Sequence, residues 1–155
     1  MTDRSVTHAT FVLEHAYAVP PARVFDAWAD PVVKTRWFTG APDPAAAPMT
    51  MDFRVGGTER AVTRGNGGPV VVYEGLYRDI VVGERIVVAN WIDVDGQRIS
   101  VSQFTAEFRA DDHGTRLVVT EQGAYLDGHD SPDSRATGIR AQLAALAAEL
   151  ETGPR

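Results

Sequence analysis

No cysteine occurs among the 155 residues. That absence excludes disulfides, thiolate nucleophiles and zinc–thiolate centres together. Lysine is nearly missing too, with Lys34 alone against 14 arginines. The cations are scattered singly and net charge is −6, so neither a nucleic acid nor an anionic membrane is an expected partner. No 18 apolar residues run together, and the opening MTDRSVTHAT has no apolar leader core. The expectation is a cytoplasmic protein. A Ser-His-Asp elbow, a P-loop, a dinucleotide fingerprint and HExxH are also missing, and no cofactor is expected. The Gly65-Asn66-Gly67-Gly68 run has no helix after it to hold a phosphate, so it reads as a hairpin loop. The remaining composition, 44% hydrophobic and 23% charged, is that of an ordinary globule. Its length favours one domain over residues 1–155.

The strongest pattern present is the last one, Ser131 to Leu150. Ala136, Ile139, Leu143, Leu146, Ala147 and Leu150 recur at steps of three and four, which makes one apolar stripe on a helix. Arg135, Arg140, Gln142 and Glu149 fall elsewhere on the wheel. Ser131 can cap the start, Pro132 suits the first helical position, and Gly153-Pro154 stops the helix. Burying four large aliphatics contributes on the order of 6–12 kcal/mol at most. A stripe of that strength needs a surface to cover.

The rest of the chain supplies that surface as strands. Thr7–Tyr17 alternates, with Phe11, Leu13, His15 and Tyr17 on one face. Pro20-Pro21 ends it, and Ala22–Ala29 and Val32–Phe38 read as two short helices separated by Asp30-Pro31. Gly40–Pro48 is a loop. Met49–Val55 alternates again before the Gly56-Gly57 turn, and Thr58–Thr63 returns. Val70–Asp79, Arg85–Asp93, Ile99–Ala110 and Thr115–Gln122 follow, joined by turns short enough to force antiparallel neighbours. The expected fold is α+β: a curved seven-stranded antiparallel sheet around the long C-terminal helix, with a two-helix elbow after strand one. A cavity between helix and sheet is the default ligand site.

Ala18-Val19-Pro20-Pro21 through Val24-Phe25, Ala27-Trp28, Asp30-Pro31 and Arg36-Trp37-Phe38 resembles the opening of the START-like SRPBCC superfamily. Within it, the chain resembles the branch of the activator of the heat-shock protein 90 ATPase. Asp52-Phe53-Arg54-Val55-Gly56-Gly57 matches that branch's hairpin. Tyr73-Glu74-Gly75, Gly114-Thr115-Arg116-Leu117 and Thr120-Glu121-Gln122-Gly123 match its later strands. The resemblance runs from about Phe11 to Leu150 and implies a helix-grip fold. The branch mixes small-ligand binders with co-chaperone domains, so it implies no single activity. Many relatives carry Gly-Trp where this chain has Gly138-Ile139, which implies a larger cavity here. The co-chaperones carry a further N-terminal domain, for which this chain is expected to have no room.

The candidate cavity residues are Trp37, Phe53, Trp91, Phe104, Tyr125, His15, Glu121, Ile139 and Leu143. The aromatics among them offer apolar bodies, and Tyr and Trp add a polar tip. His15 reads either as a satisfied core histidine or as a polar anchor able to move protons. Glu121 shares a face with Leu117 and Val119, and a buried carboxylate needs a partner or a raised pKa. Its expected partner is an arginine, or else His15. Asp52 and Arg54 read as a solvated pair, and Asp127-Gly128-His129-Asp130 as a turn rather than a metal site.

Three functions remain open: a module binding a small hydrophobic ligand without catalysis, a cyclase/aromatase-like enzyme using His15 or Glu121, and a chaperone-associated interaction domain. The first is favoured, with no metal and no cofactor. A homodimer through the sheet edge or the helices is left open. A binder should show paired polar groups in an apolar pocket, an enzyme unpaired titratable groups converging on one spot, and a co-chaperone domain an exposed apolar patch.

Overall fold

Strand β1 (Val6–Tyr17) alternates in burial as its sequence alternates, with Leu13 and Tyr17 inward and Val12 and Glu14 outward. The computed structural model describes residues 3–64 and 67–152. The helix stop expected at Gly153-Pro154 and the Gly65-Asn66 half of the expected hairpin loop lie outside the described residues.

The elbow follows as α1 (Pro21–Ala29) and α2 (Pro31–Phe38). Each has proline in its first turn, where the missing N–H costs nothing. Asp30 separates them and caps α2, accepting from the backbone N–H of Val32 at 2.9 Å and of Val33 at 3.3 Å. A single 3-10 turn, Pro44–Ala46, interrupts the loop after it.

Six further strands are β2 (Thr50–Met51), β3 (Thr58–Arg64), β4 (Val70–Val81), β5 (Arg85–Val94), β6 (Gln97–Asp111) and β7 (Gly114–Leu126). All pairings are antiparallel, in the order β1-β7-β6-β5-β4-β3-β2. Two expectations are corrected. The sheet is not the curved layer expected: it is open, with β1 and β2 as unjoined edges. A two-residue edge strand offers too little backbone to draw the other edge round. The strand expected at Met49–Val55 shrinks to β2, because the chain turns at Asp52. There Asp52 N–H donates to Thr58 O, Arg54 N–H to Asp52 O and Gly57 N–H to Arg54 O, at 2.8–2.9 Å. A Cβ on Gly57 would lie 2.0 Å from Asp52 O, so only glycine fits there.

The last helix, α3 (Pro132–Thr152), lies against the inner face of the sheet. Ser131 caps it through its hydroxyl, which accepts from Ser134 N–H at 3.1 Å. Ala136, Ile139, Leu143, Leu146 and Leu150 are buried, as the stripe requires. Tyr17, at the end of β1, donates its hydroxyl to Leu143 O at 2.9 Å and pins sheet to helix. No helix among the described residues is long and apolar enough to cross a membrane.

Candidate functional site

An interior cavity of about 60 Å³ lies where α1, α2 and α3 meet the middle of the sheet. Its apolar walls are Trp28, Phe38, Val88, Phe104 and Ile139. Its polar walls are Lys34, Glu59, Tyr73, Asn90, Glu121, Arg135 and Gln142.

The polar groups fall into two clusters. On the elbow side, Lys34 of α2 points inward and pairs with Glu59 of β3 at 2.8 Å, with both side chains almost fully buried. Tyr73 donates its hydroxyl to Glu59 Oε1 at 2.5 Å, and Tyr77 donates to Oε2. Burial pushes the Glu59 carboxyl up, but the Lys34 ammonium and the two tyrosines outweigh it and hold it below its ordinary value. The Lys34 ammonium also sits 5.3 Å from the Trp28 ring centre and 5.0 Å from that of Phe38.

On the α3 side, Arg135 faces Glu121 of β7 at 3.3 Å. Tyr125 donates to Glu121 Oε2 at 3.1 Å. Arg135 also donates to Ser100 Oγ at 2.6 Å and to Asp130 at 2.8 Å. Burial pushes the Glu121 carboxyl up, and here Arg135 and Tyr125 only partly offset it, so it stays raised. Burial likewise raises the tyrosine hydroxyls, which therefore remain donors.

Of the candidate residues, Phe104, Glu121 and Ile139 line the cavity. Tyr125 stands behind it, on Glu121. Leu143 and Trp37 are core, and Trp37 donates its indole N–H to Ala27 O at 2.9 Å. Phe53 packs edge-on against Phe25 and Tyr77, away from the cavity wall. Trp91 lies on the outer face, donating to Glu74 at 3.0 Å with Arg98 over its ring. His15 stacks on Tyr17 at 4.5 Å, and its Nδ1 lies 3.0 Å from Ala16 O. The structure does not bring His15 and Glu121 together: His15 is opposite Leu117 and Glu121 opposite Phe11, roughly 13 Å apart along the strands. Asp52 and Arg54 do form the expected exposed pair, at 2.9 Å. Asp127 accepts from Ser5 N–H at 2.9 Å and from Arg4 at 2.8 Å. Among the described residues no group of three or more acidic or imidazole side chains could hold a metal.

Sequence reasoning missed the Lys34–Glu59 pair, Asn90, Arg135 and Gln142. Two signals pointed to the pair: a lone lysine in an arginine-rich chain, and the alternation that puts Glu59 on the same face as Ala61.

The family model described as Activator of Hsp90 ATPase homolog 1-like protein matches residues 18–151. Among solved structures, an uncharacterized protein from Rhizobium leguminosarum is 38% identical, with 98% of this chain and 100% of that chain covered and a TM-score of 0.90. The Mll3558 protein from Rhizobium loti is 43% identical, with 94% and 99% covered and a TM-score of 0.86. An AHSA1-like protein from Aeromonas hydrophila is 17% identical, with 92% of each chain covered and a TM-score of 0.71, a likeness of fold. No curated protein matches.

Proposed function

Because the chain belongs to the activator of Hsp90 ATPase homolog 1-like family of the SRPBCC superfamily, we propose that it is a small-molecule binding module that catalyses no reaction and acts in the cytoplasm. One observation carries this reading: the charged groups of the cavity are already committed to each other. Lys34 is paired with Glu59, and Arg135 with Glu121. A cyclase-like enzyme needs a titratable group free to meet its substrate. A chaperone-docking domain needs a contiguous apolar patch. Here the exposed large apolar residues among the described residues are all valines, and only Val6 and Val12, six residues apart on β1, share an element.

The ligand's apolar or aromatic body would lie among Trp28, Phe104 and Ile139. About 60 Å³ is room for roughly four water-sized atoms at about 10–15 Å³ each, so a larger ligand must part the elbow from α3. Those elements are joined by a half-buried tie, Gln142 to Phe38 O at 2.8 Å, and by an exposed one, Arg36 to Glu149; both can be exchanged for bonds to water at modest cost.

The test is to fill the space. Ile139→Trp should abolish binding of an environment-sensitive apolar dye while unfolding stays cooperative, and Trp91→Ala on the outer face should leave dye binding intact. Unchanged binding by Ile139→Trp would remove the cavity from the function.

A further inference from the structure

Beneath the cavity the sheet forms a floor from one row of residues crossing five strands, Glu59, Gly75, Asn90, Ser102 and Gly123, each opposite the next in register; of these Glu59 and Asn90 line the cavity itself. The two glycines clear the way for two tyrosines. A Cβ on Gly75 would lie 3.0 Å from the Tyr73 hydroxyl, and one on Gly123 would lie 2.9 Å from the Tyr125 hydroxyl. Tyr73 therefore leans toward Glu59 and Tyr125 toward Glu121, and both carboxylates are satisfied from their own ends of the floor. Asn90 is left in the middle. It is only 4% exposed and lines the cavity, yet its amide forms no side-chain hydrogen bond among the described residues. Among the described residues, the buried indole N–H of Trp28, a wall of the same cavity, has no acceptor, and the buried Ser102 hydroxyl, next to Asn90 in the row, has no partner. Buried polar groups are ordinarily satisfied, so these groups mark neutral hydrogen-bonding capacity left unused around the cavity.

The surrounding charges are closed to newcomers. An anion taking a spare N–H of Lys34 or Arg135 would add a negative charge to a pair that is already neutral, and a cation at either carboxylate would add a positive one. Either leaves one buried charge uncompensated, the expensive outcome in such a place. A neutral planar group strands nothing. It can donate to and accept from one amide side chain, which itself has both functions.

We propose that the cavity selects a compact neutral planar group carrying both a donor and an acceptor, of the carboxamide type, held by Asn90. It is either a free small molecule or the inner end of a longer ligand. This rests on the reading of the cavity as a binding site and adds the charge state and chemical class of what enters it.

Acetamide, acetate and acetamidinium share a shape of about four heavy atoms, which suits the space, and differ only in charge. Each is titrated into the full chain at pH 7 and constant ionic strength, with backbone and Asn90 side-chain amides followed by NMR. Acetamide should give saturable shifts at Asn90 and its neighbours. The two ions should bind about tenfold more weakly or worse. Asn90→Leu should lose the acetamide response, and Asn90→Asp should reverse the order in favour of acetamidinium. Binding of acetate or acetamidinium as tight as that of acetamide overturns the proposal. So does an acetamide response that survives Asn90→Leu, or an order that Asn90→Asp leaves unchanged. If acetamide fails while the apolar dye still binds, this inference falls and the binding module stands. If the dye fails as well, both fall.

Discussion

Glu59 and Glu121 are both buried carboxylates lining one cavity, and each faces a cation and a tyrosine. Their protonation balances nevertheless shift in opposite directions. The difference lies in what else the cation does. Lys34 reaches Glu59 at 2.8 Å, and two tyrosines add their hydroxyls to the same carboxylate. Arg135 reaches Glu121 at 3.3 Å while also binding Asp130 and Ser100 more closely. A guanidinium divided among three acceptors does not fully offset the desolvation of Glu121. Burial alone therefore does not set a carboxylate's behaviour; the other commitments of its partner do.

The largest expected effect follows from breaking the undivided pair. Glu59→Gln leaves Lys34 buried and uncompensated and should lower unfolding stability by about 3–5 kcal/mol in urea titrations. Replacing both members, as Lys34→Met with Glu59→Leu, should recover only part of that loss: no buried charge is left uncompensated, but the Tyr73 and Tyr77 hydroxyls lose their acceptor. Arg135→Met comes next, at about 1–3 kcal/mol; Glu121 can take up a proton once its cation is gone, which limits the cost. Glu121→Gln should be the mildest, within about 1 kcal/mol, since Arg135 keeps Asp130 and Ser100.

The two carboxylates should also differ in the sign of their pH dependence. The folded value of Glu59 lies below the ordinary 4.5, so its contribution is present above that value and is lost as pH falls through the folded value. The folded value of Glu121 lies above 4.5, so its contribution is present below that value and is lost as pH rises through the folded value. Stability measured against pH for each Gln variant should therefore approach the wild type toward acid for Glu59→Gln, whereas for Glu121→Gln the wild type should lose ground as pH rises above 4.5.

The elements of the fold were legible wherever one period dominates. The α3 stripe and the β1 alternation each place apolar side chains without reference to the rest of the chain. Arg135 was not legible, because a helical wheel sends every arginine to solvent, whereas this one starts beside the stripe and reaches in to Glu121. Trp91 misled for the opposite reason. Its size suggests the interior, but strand parity puts Ile86, Val88 and Asn90 inward and Trp91 out with Glu74 and Arg98. A His15–Glu121 pair depends on register, which hydropathy does not encode. The openness of the sheet depends on the length of β2, which is set by the turn at Asp52–Gly57 rather than by alternation.

A carbon-detected NMR titration of the Glu59 and Glu121 carboxyl groups in the intact chain tests the account most directly. Glu59 should titrate below 4.5 and Glu121 above it, with Glu121 moving further up in Arg135→Met. Two carboxyls titrating together near 4.5 would mean that Lys34 and the tyrosines do not hold Glu59 and that Glu121 is not buried behind a divided Arg135, and the paired, non-catalytic cavity would be contradicted.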